Sequence, residues 1–110
     1  MIWRIRDRAS FRALAAGRRR RRGALTVTCA PVEGGGPPRV AYAVGRRVGT
    51  AVVRNQVRRR LRAVVQAEAS DLAPAHAYLV QASPQAASCT YSELQSTFRA
   101  ILRDLQSERT

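Results

Sequence analysis

The chain has 110 residues, 45% of them apolar, which is enough for one hydrophobic core, too short for two and too apolar for a disordered tail. Its formal charge is +13 and no apolar run approaches the length of a membrane-spanning helix, so a polyanionic partner is expected and a bilayer-embedded helix is not. The charge is uneven: residues 1–62 hold 17 arginines against Asp7 and Glu33, whereas residues 63–110 hold three against five acids, which makes the first half the partner-facing half.

In chain order, residues 7–16 predict a short first helix, with Asp7 able to cap it, Phe11, Leu14 and Ala15 on one face and Gly17 able to end it. Phe11 reads equally as a core residue and as a platform for a stacked base. Arg18 to Arg22 follow as five consecutive arginines, and residues 17–23 are expected to form a mobile basic loop that tracks phosphates without sequence preference. Leu25 to Val32 alternates in the manner of a strand, with Thr26, Thr28 and Ala30 on a wetter face. The Gly/Pro segment 33–38 is a loop into a second strand, Arg39 to Val44, expected to pair antiparallel with the first. A basic helix is predicted from Thr50, its cap, to Ala67, then a strand over Ala77–Ala82 closed by Pro84. Thr90 and Glu93 form a capping box before a last helix whose stripe is Leu94, Phe98, Ile101, Leu102 and Leu105. The sum is a small α+β domain covering residues 1–110, without repeats.

The basic helix is the most informative element. Val53, Val57, Leu61 and Val64 form its apolar seam, and Arg54, Arg58 and Arg62 repeat at the same spacing one position along. Arg59 and Arg60 widen the basic face, and Arg46 and Arg47 stand just before the helix. Between Val44 and Val65 there are seven arginines and no acid, so like charges repel at i,i+4 unless something outside offsets them. Phosphate fits the guanidinium fork, which favours RNA or DNA over a merely solvated face. That every basic residue is arginine is read as coding bias. Cys29 and Cys89 lack the spacing of a zinc site and are expected as reduced thiols in a cytoplasmic protein. The N-terminal arginines lack a following apolar stretch, and export is not expected.

The run Gly45-Arg-Arg-Val-Gly-Thr-Ala-Val-Val-Arg-Asn-Gln-Val-Arg-Arg-Arg-Leu-Arg62 closely resembles the signature of the bacterial ribonuclease P protein family. The family pattern has two basic residues, an apolar residue, Gly, Ala-Val, then Arg-Asn-Arg and basic residues at helical spacing. The early helix with Phe11, the basic segment after Gly17, the strand order and a strand near Tyr78 extend the likeness over nearly the whole chain. The resemblance implies a ribosomal-protein-like α+β sandwich in which the basic helix joins two parallel strands by a left-handed crossover. It also implies a function: the protein subunit of ribonuclease P, which assists endonucleolytic removal of the 5′ leader from precursor tRNA. The active site and its Mg2+ ions would lie in the RNA subunit, with no catalytic residue and no metal site in this chain.

Matched position by position, Arg46, Arg47, Arg54, Asn55, Arg58, Arg59 and Arg62 would bind the ribonuclease P RNA. Phe11, with Thr26 and Thr28, would line the cleft for the precursor tRNA 5′ leader. Gln56 replaces the second arginine of the Arg-Asn-Arg element. Ala15 stands where some members carry a second aromatic, which implies stacking weaker by about 1–3 kcal/mol per lost base contact. No membrane and no obligate protein partner are implied.

Other functions fit less well. A protein nuclease needs grouped acids or bases, yet no acid lies between Gly34 and Ala67, and His76, the one histidine, follows a proline-containing loop segment and reads as a surface or satisfied residue. A ribosomal or other structural RNA-binding protein shares the charge and size, and only the motif separates it. A helix-turn-helix lacks the preceding helix, and a membrane-surface helix lacks aromatic anchors. Trp3 reads as an ordinary core or cap residue.

Overall fold

The computed structural model describes residues 1–107, and residues 108–110 of the expected domain lie outside the described residues. The elements are β1 (Trp3–Arg4), α1 (Arg8–Ala15), β2 (Arg18–Arg22), β3 (Leu25–Pro31), β4 (Arg39–Val44), α2 (Ala51–Ala67), β5 (His76–Ala82) and α3 (Tyr91–Ser107). The strands form one mixed sheet in the order β1-β4-β5-β3-β2. β5 runs parallel to β4 and antiparallel to β3, β1 is parallel to β4, and β2 is antiparallel to β3.

The expected β3–β4 pairing is therefore wrong: β5 lies between them. The reason is burial. Ala77, Tyr78 and Val80 are almost fully buried, and a strand covered on both faces takes the centre of a sheet, where both of its backbone edges are paired. The Gly/Pro loop crosses the start of that strand, tied to it by Val32 N–H donating to the Ala75 carbonyl at 2.9 Å and Ala75 N–H donating to that of Gly36 at 2.8 Å.

The arginine run is the second correction. Arg18 to Arg22 are not a loop but the edge strand β2, paired residue for residue with Cys29 to Leu25. Gly23, at φ +54°, starts the tight turn that returns the chain into β3, a conformation glycine adopts without a Cβ penalty. Pleating sends successive arginines to opposite faces, which relieves the repulsion that argued for a loop. Arg18, Arg20 and Arg22 share the face of Cys29, Val27 and Leu25, toward α3. There Arg18 donates to the Leu105 carbonyl at 2.9 Å and Arg22 pairs with Asp104 at 3.4 Å. A charged edge also discourages pairing with another chain.

One face of the sheet carries α2 and α3. Val57, Leu61, Val64 and Val65 of α2 and Leu94, Phe98 and Ile101 of α3 close over Leu25, Val27, Val40 and Val80. Both helices begin as expected: Thr50 Oγ accepts from Val53 N–H at 3.3 Å, and Thr90 and Glu93 exchange hydrogen bonds of 2.9 and 3.1 Å. At the end of α2, buried Glu68 accepts from Arg99 at 2.6 Å and Gln95 at 3.1 Å, locking α2 to α3. The opposite face carries only α1, through a smaller cluster of Ile5, Leu14, Ala30 and Ala77. Thr28 and Ala30, expected on a wetter face, are buried beneath it, and only Thr26 stays partly open. Trp3, expected in the core or as a cap, is 46% exposed and stacks with Arg39, whose guanidinium lies 5.2 Å from the ring centroid.

Gly17 joins α1 to the sheet at closest approach: a Cβ there would stand 2.6 Å from the Cys29 carbonyl oxygen, a backbone atom that cannot swing away. Gly17→Ala is expected to cost about 1–3 kcal/mol, as overpacking does, and to lower the urea midpoint accordingly. An unchanged midpoint would show that α1 is free to ride up.

Candidate nucleic-acid interface

The face under α1 forms a groove. Cross-strand register places Arg19, Thr28, Leu79 and Ala41 in one row and Arg21, Thr26, Gln81 and Ala43 in the next. Phe11, Leu14 and Ala15 of α1 overhang the first row, enclosing about 310 Å³ together with Arg19, Thr28, Leu79 and Gln81. Phe11 is 48% exposed at the mouth, so of its two readings the structure excludes the core one. The sequence singled out Phe11 and Thr28, which meet here, and Thr26, which stands one row away. It missed Arg19, Arg21, Leu79 and Gln81. The signal was present in Arg18 to Arg22 followed by Gly23, since a strand reading sends alternate arginines to this face.

What sets the position of Phe11 is the start of α1. Asp7 accepts from Ser10 N–H and Oγ, each at 2.9 Å, and Ser10 is buried. These bonds, the backbone one foremost, hold the Asp7 carboxyl below its ordinary range.

The second surface is one flank of α2. Arg54, Arg58 and Arg62 lie along the side of the helix turned toward β4, with the Arg62 guanidinium 5.8 Å from the Tyr42 ring centroid. Burial pushes the Tyr42 hydroxyl up to about 12 despite the opposing effect of Arg62, so it remains a donor. Asn55 Oδ1 accepts from Arg58 at 2.8 Å and thereby braces that guanidinium. The Arg54 Nε is buried without a hydrogen-bond partner. Arg46 and Arg47 are exposed on a single 3₁₀ turn, anchored by buried Val48, at the end of the sheet where the row of Thr26 and Gln81 lies. Arg59 is exposed on the outer side of the helix. Arg60 does not widen the face as expected: it turns to the far flank and donates to the Cys89 carbonyl at 3.3 Å.

The two surfaces lie on opposite faces of the sheet. Among the described residues no group of three or more His, Cys, Asp or Glu comes together as a metal site, and no helix is long and apolar enough to cross a membrane. The His76 ring bonds the Pro74 carbonyl at 2.9 Å, outside both surfaces.

Compared with known protein families, residues 2–106 match the family described as Ribonuclease P. The chain belongs to that family. It is 41% identical over 114 residues to the ribonuclease P protein component of Thermobifida fusca, covering 96% of this chain and 78% of the relative. The fold is similar to that of the Staphylococcus aureus RNase P protein, with TM-score 0.80 at 23% identity and 94% of both chains covered. It is also similar to the RNase P protein from Thermotoga maritima, with TM-score 0.78 at 16% identity, covering 92% of this chain and 96% of that one. The ribonuclease P family membership gives the chain its role: a protein subunit of the endoribonuclease complex that matures tRNA 5′ ends, partnered with the ribonuclease P RNA.

Because the folded-state value of Asp7 is depressed, its contribution to stability is fully present above the unfolded value, near 3.9, and is lost as pH falls through the lower folded one. Asp7→Ala should therefore lower the thermal midpoint at neutral pH, and the gap to the parent should begin to narrow as pH falls below about 3.9 and close only beneath the lower folded value. A gap that persists in acid would mean that Asp7 does not act through its charge.

Proposed function

We propose that the groove beneath α1 binds the 5′ leader of precursor tRNA while the arginine flank of α2 faces the ribonuclease P RNA, which carries the catalytic centre and its Mg2+ ions. The observation that supports this most is the exposed Phe11 above a floor that ends in Arg19 and Arg21, a base-stacking ring beside two phosphate-seeking guanidiniums. Arg46, Arg47, Arg54, Asn55, Arg58, Arg59 and Arg62 make up the RNA side, with Asn55 acting by holding Arg58. Thr26 and Thr28 belong to the leader side as floor residues.

Hydrolysis by this chain's own side chains has little to draw on. Asp7 and Glu93 cap helices, Glu68 is clamped by Arg99 and Gln95, and Asp104 pairs with Arg22. None of these acids lies in the groove, and arginine repels a divalent cation instead of ligating it. What the chain offers is charge. Docking a polyanionic substrate on a polyanionic ribozyme is opposed by repulsion, and a +13 protein at the junction screens it. Its two thiols, Cys29 and Cys89, are free, which fits a cytoplasmic ribonucleoprotein.

The test is cleavage of end-labelled precursor tRNA by a ribonuclease P RNA at low magnesium, with and without this protein and beside protein alone. Protein-dependent cleavage at the mature 5′ end and none by protein alone is expected; cleavage by protein alone would refute an RNA-borne centre. Arg54→Ala with Arg58→Ala should raise the magnesium requirement.

A second measurement separates the two surfaces. Phe11→Ala should weaken binding of precursor with a long leader by about 1–3 kcal/mol, roughly five- to 150-fold, and leave leaderless tRNA unaffected. Equal losses on both substrates would place Phe11 outside the leader path.

A further inference from the structure

The α2 flank also borders a further concavity, which it forms with the edge strand β1. It encloses about 380 Å³ and is lined by Ile2, Arg4, Val40, Tyr42, Arg58 and Arg62, with the Gln66 amide at its end. Its volume is at the small end of ligand pockets, about 300–1,000 Å³, which suits one nucleotide and not a duplex. Its chemistry is one-sided. Arg4, Arg58 and Arg62 carry donors only, no carboxylate lines it, and the Tyr42 hydroxyl remains protonated. Ile2, Val40 and the Tyr42 ring, over which the Arg62 guanidinium lies 5.8 Å from the centroid, supply its apolar lining.

The register explains how this pocket forms. β1 pairs parallel to β4 with Arg4 beside Val40, so Arg4 projects on the same side of the sheet as Val40 and α2, toward Arg58 and Arg62. Three guanidiniums from two elements distant in sequence thus face one space, two of them pre-set, Arg58 by Asn55 and Arg62 by Tyr42. Holding like charges together without a counter-charge is unfavourable and is offset when an anion enters.

We infer that this pocket captures a single unpaired nucleotide of the ribonuclease P RNA, its phosphate on Arg4, Arg58 and Arg62 and its base against Ile2 and Tyr42. The inference rests on the reading that the α2 flank faces that RNA, and adds that the contact is to one extruded nucleotide, with β1 supplying part of the site. Unstacked nucleotides are what proteins read in structured RNA, by stacking on aromatic rings or guanidinium planes.

The experiment measures affinity of the full chain for ribonuclease P RNA across a range of salt. Arg4→Ala should weaken binding and make the salt slope shallower by about one, as loss of one phosphate contact does. Ile2→Ala should weaken binding by about fivefold or more with the slope unchanged, as loss of a base contact does. Arg4 is exposed at the sheet edge, whereas Ile2 is half-buried and packs against the core, so an unchanged thermal midpoint of Ile2→Ala shows that its loss of affinity is a loss of contact. Arg103→Ala, an exposed arginine on α3, serves as the charge control that leaves the slope as it is. A benzophenone amino acid at position 2 should cross-link to one unpaired nucleotide of the RNA. Wild-type affinity in both pocket variants, or cross-links to a duplex or to the leader, would overturn the inference. A free nucleotide is the other source of the same chemistry: tight, saturable quenching of Trp3 by AMP, lost in Arg4→Ala while RNA affinity stays, would assign the pocket to it and overturn the RNA reading. Failure of the parent chain to bind the RNA at all would instead refute the reading on which the inference rests.

Discussion

The central position of β5 is the constraint from which the interface follows. β4 runs parallel to β5, and parallel neighbours cannot be joined by a hairpin, so the chain between them must cross a face of the sheet. The crossing element is α2, and the apolar seam of Val57, Leu61 and Val64 commits one side of it to the core. The arginines at the same spacing are then fixed relative to β4 by the same packing. The opposite face of the sheet, relieved of α2, needs only the eight-residue α1, which covers Ala30 and Ala77 and leaves Thr26 and Gln81 partly open. Groove and basic flank are thus two consequences of one strand order.

A fold with so many like charges must place them where they cost little. It does so by sending them to edges and flanks. Alternation along β2 divides five arginines between two faces, three toward the backbone and acid of α3 and two toward the groove. α2 divides its own in the same way, with Arg58 and Arg62 toward β4 and Arg60 toward the Cys89 carbonyl. Four of the acids serve structure: Asp7 and Glu93 cap α1 and α3, Glu68 clamps α2 to α3, and Asp104 pairs with Arg22. Positive potential in the groove and along the α2 flank is consequently uncompensated from within.

Elements with strong local signals were legible in the sequence. Asp7, Thr50 and the Thr90–Glu93 box each cap the helix that they announce, and β4 begins and ends at the expected residues. What failed was non-local. Whether β3 pairs with β4 or β5 depends on burial of β5 on both faces, which a strand of seven residues, five of them apolar, does not declare. Arg18 to Arg22 form a strand only because Gly23 turns the chain onto β3, and five like charges in isolation favour a loop. The site divided along the same line: Phe11 and the α2 arginines are read from local pattern, whereas Arg4, Arg19 and Tyr42 join them through register alone.

The replacement of the second motif arginine by Gln56 can be weighed on this geometry. Asn55 sits on the side of α2 that holds Arg58, whereas Gln56 is one residue, about 100°, further round. It is exposed and lies away from Arg58, Arg62 and Tyr42. The substitution therefore subtracts charge from the outer surface of the helix and leaves the braced flank intact. That flank also sets a cation over an aromatic ring, since the Arg62 guanidinium lies 5.8 Å from the Tyr42 centroid, and at the sheet edge Arg39 does the same over Trp3 at 5.2 Å. A coding bias toward arginine is enough to explain the absence of lysine, but lysine at position 62 would place a compact ammonium where a forked guanidinium now lies over the ring. The two arginine–aromatic contacts hold guanidiniums in place at the sheet edge and on the α2 flank, the second of them in a pocket that no carboxylate lines.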